Sequence, residues 1–110
     1  MGFLLSFARR LSLTSKINEY NYETTRINYR KENITNRLSQ LQQMADGVDP
    51  ESPNAQFLEL HKQMLITMSN SLDIRLQQIQ SLAKVAQNEV NALSGDGFDN
   101  QIASSIGRYV

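Results

Sequence analysis

Residues 3–46 and 54–94 contain neither proline nor glycine, and the short segment between them holds both prolines of the chain. Two uninterrupted stretches of about forty residues are uncommon outside coiled coils and helical bundles. The break reads Asp46-Gly47-Val48-Asp49-Pro50-Glu51-Ser52-Pro53-Asn54. Gly47 is placed to end a helix, and Pro50 and Pro53 oppose its continuation. Asn54 can cap the second stretch by accepting from N–H groups of its first turn. A second break, Ser94-Gly95-Asp96-Gly97, precedes a short tail.

Periodicity agrees with two helices. In the first arm Ile17, Tyr20, Thr24, Ile27, Lys31, Ile34, Leu38, Leu41 and Ala45 recur at alternating spacings of three and four. In the second, Leu58, His61, Leu65, Met68, Leu72, Arg75, Ile79, Leu82, Ala86, Glu89 and Leu93 do the same. A sustained alternation of this kind is the a/d pattern of a coiled coil. At ~1.5 Å per residue each arm is roughly 60 Å long, and the short connection makes antiparallel return the default. The expected fold is all-α: a long antiparallel, coiled-coil-like helical hairpin with a short C-terminal tail helix. Its parts are a first arm at 1–46, a turn at 47–54 (Gly47, Pro50, Pro53, Asn54), a second arm at 55–94 and a tail at 95–110. With the turn near residue 50, facing residues add to about 100. Arg75 then lies near Glu23, Thr24 and Thr25, and Glu89 near Arg10 and Leu11. These pairs could fix the register, although long side chains also leave such a seam by extending to water.

Composition limits the functions open to the chain. Of 110 residues 40% are apolar, but only four are Phe, four Tyr and none Trp. That is thin for a compact globule and sufficient for helices burying one stripe each. Eleven basic and eleven acidic residues cancel, so no net field favours nucleic acid or an anionic membrane. The arms differ: residues 1–46 hold seven basic and four acidic side chains (+3), residues 47–110 four and seven (−3). Opposite signs suit antiparallel pairing or head-to-tail contact between copies. Absence of cysteine excludes disulfides, iron–sulfur clusters and thiol catalysis.

Catalytic groups are scarce. His61 is the single histidine, and no acid is aimed at it by the periodicity. No His, Cys and carboxylate spacing suits a metal, and no Gly-x-Ser-x-Gly elbow or phosphate-binding glycine loop is present. Asp96, Asp99 and Asn100 lack the register and terminal Glu of a calcium loop. Arg26, Arg30, Lys31 and Arg37 form a modest basic strip diluted by Glu23 and Glu32, better suited to a solvated face than to nucleic acid. Asn33-Ile34-Thr35 matches a glycosylation sequon in mid-helix. We therefore expect no enzyme, no cofactor and no metal.

The apolar residues instead exceed what one seam holds. Off the a/d line lie Phe57, Leu60, Met64, Ile74, Leu76 and Val85 in the second arm, and Leu4, Leu5, Phe7, Leu11, Leu13, Tyr22 and Tyr29 in the first. Surplus of this kind marks association. The expected interface residues are Phe3, Leu4, Phe7, Leu11, Phe57, Leu60, Met64, Ile74 and Val85, with Ile102, Ile106 and Tyr109 from a tail whose apolar residues, Phe98 included, recur on one helical face. The expected partner is the chain itself, as a homo-oligomer or filament, or other proteins of a larger assembly. The alternatives are a homodimeric four-helix bundle serving as adaptor or chaperone, and a membrane-surface protein held by residues 3–13 with Arg9, Arg10 and Lys16 at the headgroups. No apolar run is long enough to span a bilayer. The opening Met-Gly-Phe-Leu-Leu-Ser-Phe-Ala-Arg-Arg puts its charges after the apolar stretch, the reverse of a secretory leader. Gly2 and Ser6 meet a short myristoylation pattern.

The turn Pro50-Glu51-Ser52-Pro53 resembles the Pro-x-x-Pro turn of the needle subunits of bacterial type III secretion systems. The segment Asn54 to Gln80, with Leu58, Leu60, Met64, Leu65, Asn70 and Arg75, is similar in polar and apolar rhythm. The likeness covers about half the chain. It implies two helices flanking the turn, subunits stacked helically into a hollow filament, and a bacterial protein exported without a cleaved leader; without the likeness the expected place is the cytoplasm. In this chain the first arm is longer, the apolar N-terminal segment is additional, and residues 94–110 extend further.

Overall fold

The computed structural model describes residues 2–93, which form an all-α helical hairpin. Helix α1 spans Gly2–Asp46 and helix α2 spans Pro53–Leu93. The expected tail helix, with Ile102, Ile106 and Tyr109, lies outside the described residues. Packing divides the described residues into two units, one formed by the beginning of α1 and the end of α2, the other by residues 24–78.

Residues 24–78 contain the turn. α1 closes with two tightened bonds, from Gly47 N–H to the Met44 carbonyl (3.3 Å) and from Val48 N–H to the Ala45 carbonyl (3.2 Å). Such i→i−3 bonds satisfy carbonyls that a helix end leaves open. Gly47 thus ends the helix without a left-handed residue, and a Cβ there would meet only the Met44 carbonyl, at 3.8 Å. Asp49-Pro50-Glu51-Ser52 then forms a β-turn closed by Ser52 N–H to the Asp49 carbonyl (3.0 Å), with Pro50 supplying the φ that its second position needs. The Asp49 carboxylate accepts from Glu51 N–H at 3.0 Å.

The cap of α2 corrects the sequence expectation. Ser52, not Asn54, precedes the helix: its carbonyl accepts from Gln56 N–H (3.3 Å) and its hydroxyl oxygen from Ala55 N–H (3.2 Å). Pro53 is the first helical residue, where a missing N–H costs nothing, so Asn54 lies within α2. Replacing Ser52 by Ala is expected to lower stability by ~1 kcal/mol, read as the shift in urea midpoint at unchanged slope. Asn54→Ala is expected to leave the midpoint in place.

The seam of this unit buries Ile27, Ile34 and Leu41 from α1, flanked by half-buried Thr24, Lys31, Leu38 and Ala45. These are the positions expected from the first-arm alternation. From α2 come half-buried Leu58, Leu65, Ser69, Leu72 and Leu76. Lys31 forms an ion pair with Asp73, and the Lys62 ammonium donates to the Gln42 side-chain oxygen at 2.9 Å. Leu41 is 1% exposed. Leu41→Ala is expected to cost about 3 kcal/mol, since a thin seam closes poorly around the cavity, whereas Met44→Ala one turn away is expected to change the urea midpoint little.

In the other unit the beginning of α1 packs antiparallel to the end of α2. Leu13, Ala86 and Val90 form its core, with Ile17 and Leu93 against them, and Ile79 is also buried. Arg9 clamps Glu89, its Nε and Nη2 lying 2.9 and 2.8 Å from Oε1. The sum of 100 puts Glu89 beside Arg10 and Leu11; its actual partner is one residue earlier. Leu13, expected off the seam, is 3% exposed: it stands four residues before Ile17 and extends the same a/d line. In each unit the cross-helix polar pairs have residue numbers adding to between 98 and 104, close to the expected 100.

The second-arm alternation needs a correction of one residue at Met68, Arg75 and Leu82. Met68, Arg75 and Leu82 are exposed, while Ser69, Leu76 and Ala83 are half-buried and Val90 is buried. The lines 61-68-75-82-89 and 62-69-76-83-90 both interleave with 58-65-72-79-86-93, but the first would place Arg75 and Glu89 in the seam. Taking charges from water costs more than exposing Met68 and Leu82, so the second line is the one used. Leu76 accordingly moves from the outer set to the seam.

Candidate interaction surface

The expected interface residues separate by unit. In the unit of residues 24–78, Phe57, Leu60, Met64 and Ile74 are all exposed. They lie along the flank of α2 away from Leu58 and Leu65; Met68, freed by the register correction, joins them, and the exposed Arg75 ends the stripe. Between Phe57 and Ile74 this flank carries His61, Thr67 and Ser71 but no acid, lysine or arginine. Charge depletion together with Met and aromatic enrichment is the compositional mark of the centre of a protein interface. In the other unit Phe3, Leu4, Phe7, Leu11 and Val85 are exposed, and the Phe3 and Phe7 rings stack at 6.5 Å between centroids.

Beside the α2 flank a groove of about 470 Å³ opens between Arg30, Asn33 and Ile34 of α1 and Thr67, Met68, Ser71 and Leu72 of α2. It arises because Thr67 and Ser71 are short where Leu60 and Met64 are long. Two small residues one turn apart on an otherwise apolar flank are its sequence signal, hidden as long as Met68 is assigned to the seam.

Among the described residues seven apolar side chains are buried and fifteen large ones are exposed.

Among the described residues no group of three or more His, Cys, Asp or Glu side chains could hold a metal. His61 is half-buried at the edge of the α2 flank. Of the basic strip, Lys31 is engaged by Asp73 and Arg37 donates to the Gln40 side-chain oxygen at 3.2 Å. The Thr35 hydroxyl of the sequon donates to the Lys31 carbonyl (3.0 Å) within α1. No described helix is long and apolar enough to cross a membrane. Comparison with protein-family models, with curated proteins and with solved structures finds no match.

Proposed function

We propose that the chain is a non-catalytic structural subunit that assembles with copies of itself through the outward apolar flank of α2, building a filament or tube. The observation that carries this reading is the uncharged stripe of Phe57, Leu60, Met64, Met68 and Ile74, exposed beside a groove of matching apolar character. A second copy supplies both halves of such a contact, an apolar ridge and a recess. Ridge-into-recess contacts that do not close on themselves propagate into open assemblies. The Pro-x-x-Pro turn likeness supports the filament over the closed form, and with it a role in secretion. A homodimeric four-helix bundle uses the same flank in an isologous contact and is the other reading.

Sedimentation velocity from low to high micromolar concentration, with negative-stain imaging of the same samples, separates them. The filament reading expects mass that grows with concentration and particles of variable length. A single dimer mass at every concentration replaces it with the bundle, and a monomer throughout removes both.

A further inference from the structure

The first turns of α1 carry a second apolar surface, separate from the α2 flank. The inner line of this stretch is Ser6, Arg10, Leu13, Ile17 and Tyr20, buried or half-buried at alternating spacings of four and three. Leu4, Leu5, Ala8 and Leu11 fall on the opposite side of the helix and point away from α2. The three leucines are 70, 64 and 56% exposed. Three helical turns of large apolar side chains turned outward call for a cover.

Charge says what kind of cover. The chain as a whole is neutral, but residues 2–18 hold three basic side chains and no acidic one. The sequence alone puts Arg9, Arg10 and Lys16 at headgroups. The structure takes Arg9 out of that set, because Glu89 of α2 holds its guanidinium. Arg10 stands half-buried on the inner line. With Glu89 set against Arg9, three basic and one acidic side chain still leave the stretch at +2. The exposed Lys16 lies on the line of Leu5, three turns further along, at the edge of the apolar face. The first acid of α1, Glu19, comes about two turns beyond Leu11.

A leucine face with a lysine at its edge and no acid along its length is the pattern of a helix lying in a bilayer surface. There the leucines enter the acyl boundary while the long lysine stem carries its ammonium up to the phosphates. The α2 flank differs, having no charge of either sign between Phe57 and Ile74, as the centre of a protein contact requires.

We propose that residues 4–16 of α1 bind the surface of a bilayer containing anionic lipid, with Leu4, Leu5 and Leu11 in the acyl boundary and Lys16 at the headgroup phosphates. No described helix is long and apolar enough to cross a membrane, and the contact lies in the plane of the bilayer. It is independent of assembly through α2.

Flotation of the full chain with vesicles of phosphatidylcholine and phosphatidylglycerol, beside vesicles of phosphatidylcholine alone, tests it. The unsubstituted chain is expected to float with the mixed vesicles and more weakly with the neutral ones. Leu4→Ser/Leu11→Ser is expected to weaken partitioning at least about tenfold at unchanged helical circular dichroism, since both side chains are exposed. Lys16→Glu is expected to weaken binding to the mixed vesicles alone. Leu60→Glu/Met64→Glu is expected to float like the unsubstituted chain, which separates this contact from assembly. Absence of flotation with the mixed vesicles overturns the proposal. Equal flotation of the unsubstituted and Leu4→Ser/Leu11→Ser chains reduces binding to adsorption by charge and also overturns it. Loss of self-assembled mass by Leu4→Ser/Leu11→Ser without lipid assigns the face to a second copy, with the same consequence.

Discussion

Replacing Leu13 by Asp is expected to cost about 4 kcal/mol or more and to strip amide protection from residues 83–93. Leu13 is 3% exposed and forms the core of its unit with Ala86 and Val90. The substitution removes the packing of a whole leucine, a loss of ~3 kcal/mol by itself, and sets a carboxylate among methyl groups. Arg9 is already held by Glu89. The control lies two residues away: Leu11 is more than half exposed, so Leu11→Asp is expected to change stability by less than ~0.5 kcal/mol. Urea unfolding followed by circular dichroism reads both. Equal losses for the two variants would show that the seam does not run through Leu13.

Leu13 also marks where the sequence is legible and where it stops being so. The first-arm line from Ile17 to Ala45 is legible because it consists mainly of Ile and Leu at unbroken three–four spacing. Extending it backward requires reading Leu13 inside a segment, Phe3–Leu13, where seven of eleven residues are apolar and periodicity loses contrast. The second arm is harder. Its two candidate lines differ only at every other position, and Met68 and Leu82 on one compete with Leu76, Ala83 and Val90 on the other. Hydrophobicity alone does not separate these sets; the cost of seating Arg75 and Glu89 in a seam does.

The cap is a choice between two good residues, and Pro53 decides it. A proline at the first helical position places the cap immediately before it, on Ser52. The outer stripe of Phe57, Leu60, Met64 and Ile74 is legible as apolar surplus, because a two-helix seam has a fixed capacity. The groove at Ile34 and Met68 is not, since it depends on which short side chains of α2 face α1.

Multi-angle light scattering of the unsubstituted chain beside its Leu60→Glu/Met64→Glu variant tests self-assembly most directly. Both side chains stand exposed at the centre of the uncharged flank, so their replacement leaves the hairpin seam intact and its helical circular dichroism unchanged. Each apolar anchor at the centre of an interface contributes ~2 kcal/mol or more to association. Burying two opposed carboxylate pairs adds repulsion, so association is expected to weaken by at least about a thousandfold. Assembly through the α2 flank predicts large, concentration-dependent mass for the unsubstituted chain and a monomer for the variant. Assembly of the variant to the same mass at the same concentrations would contradict it.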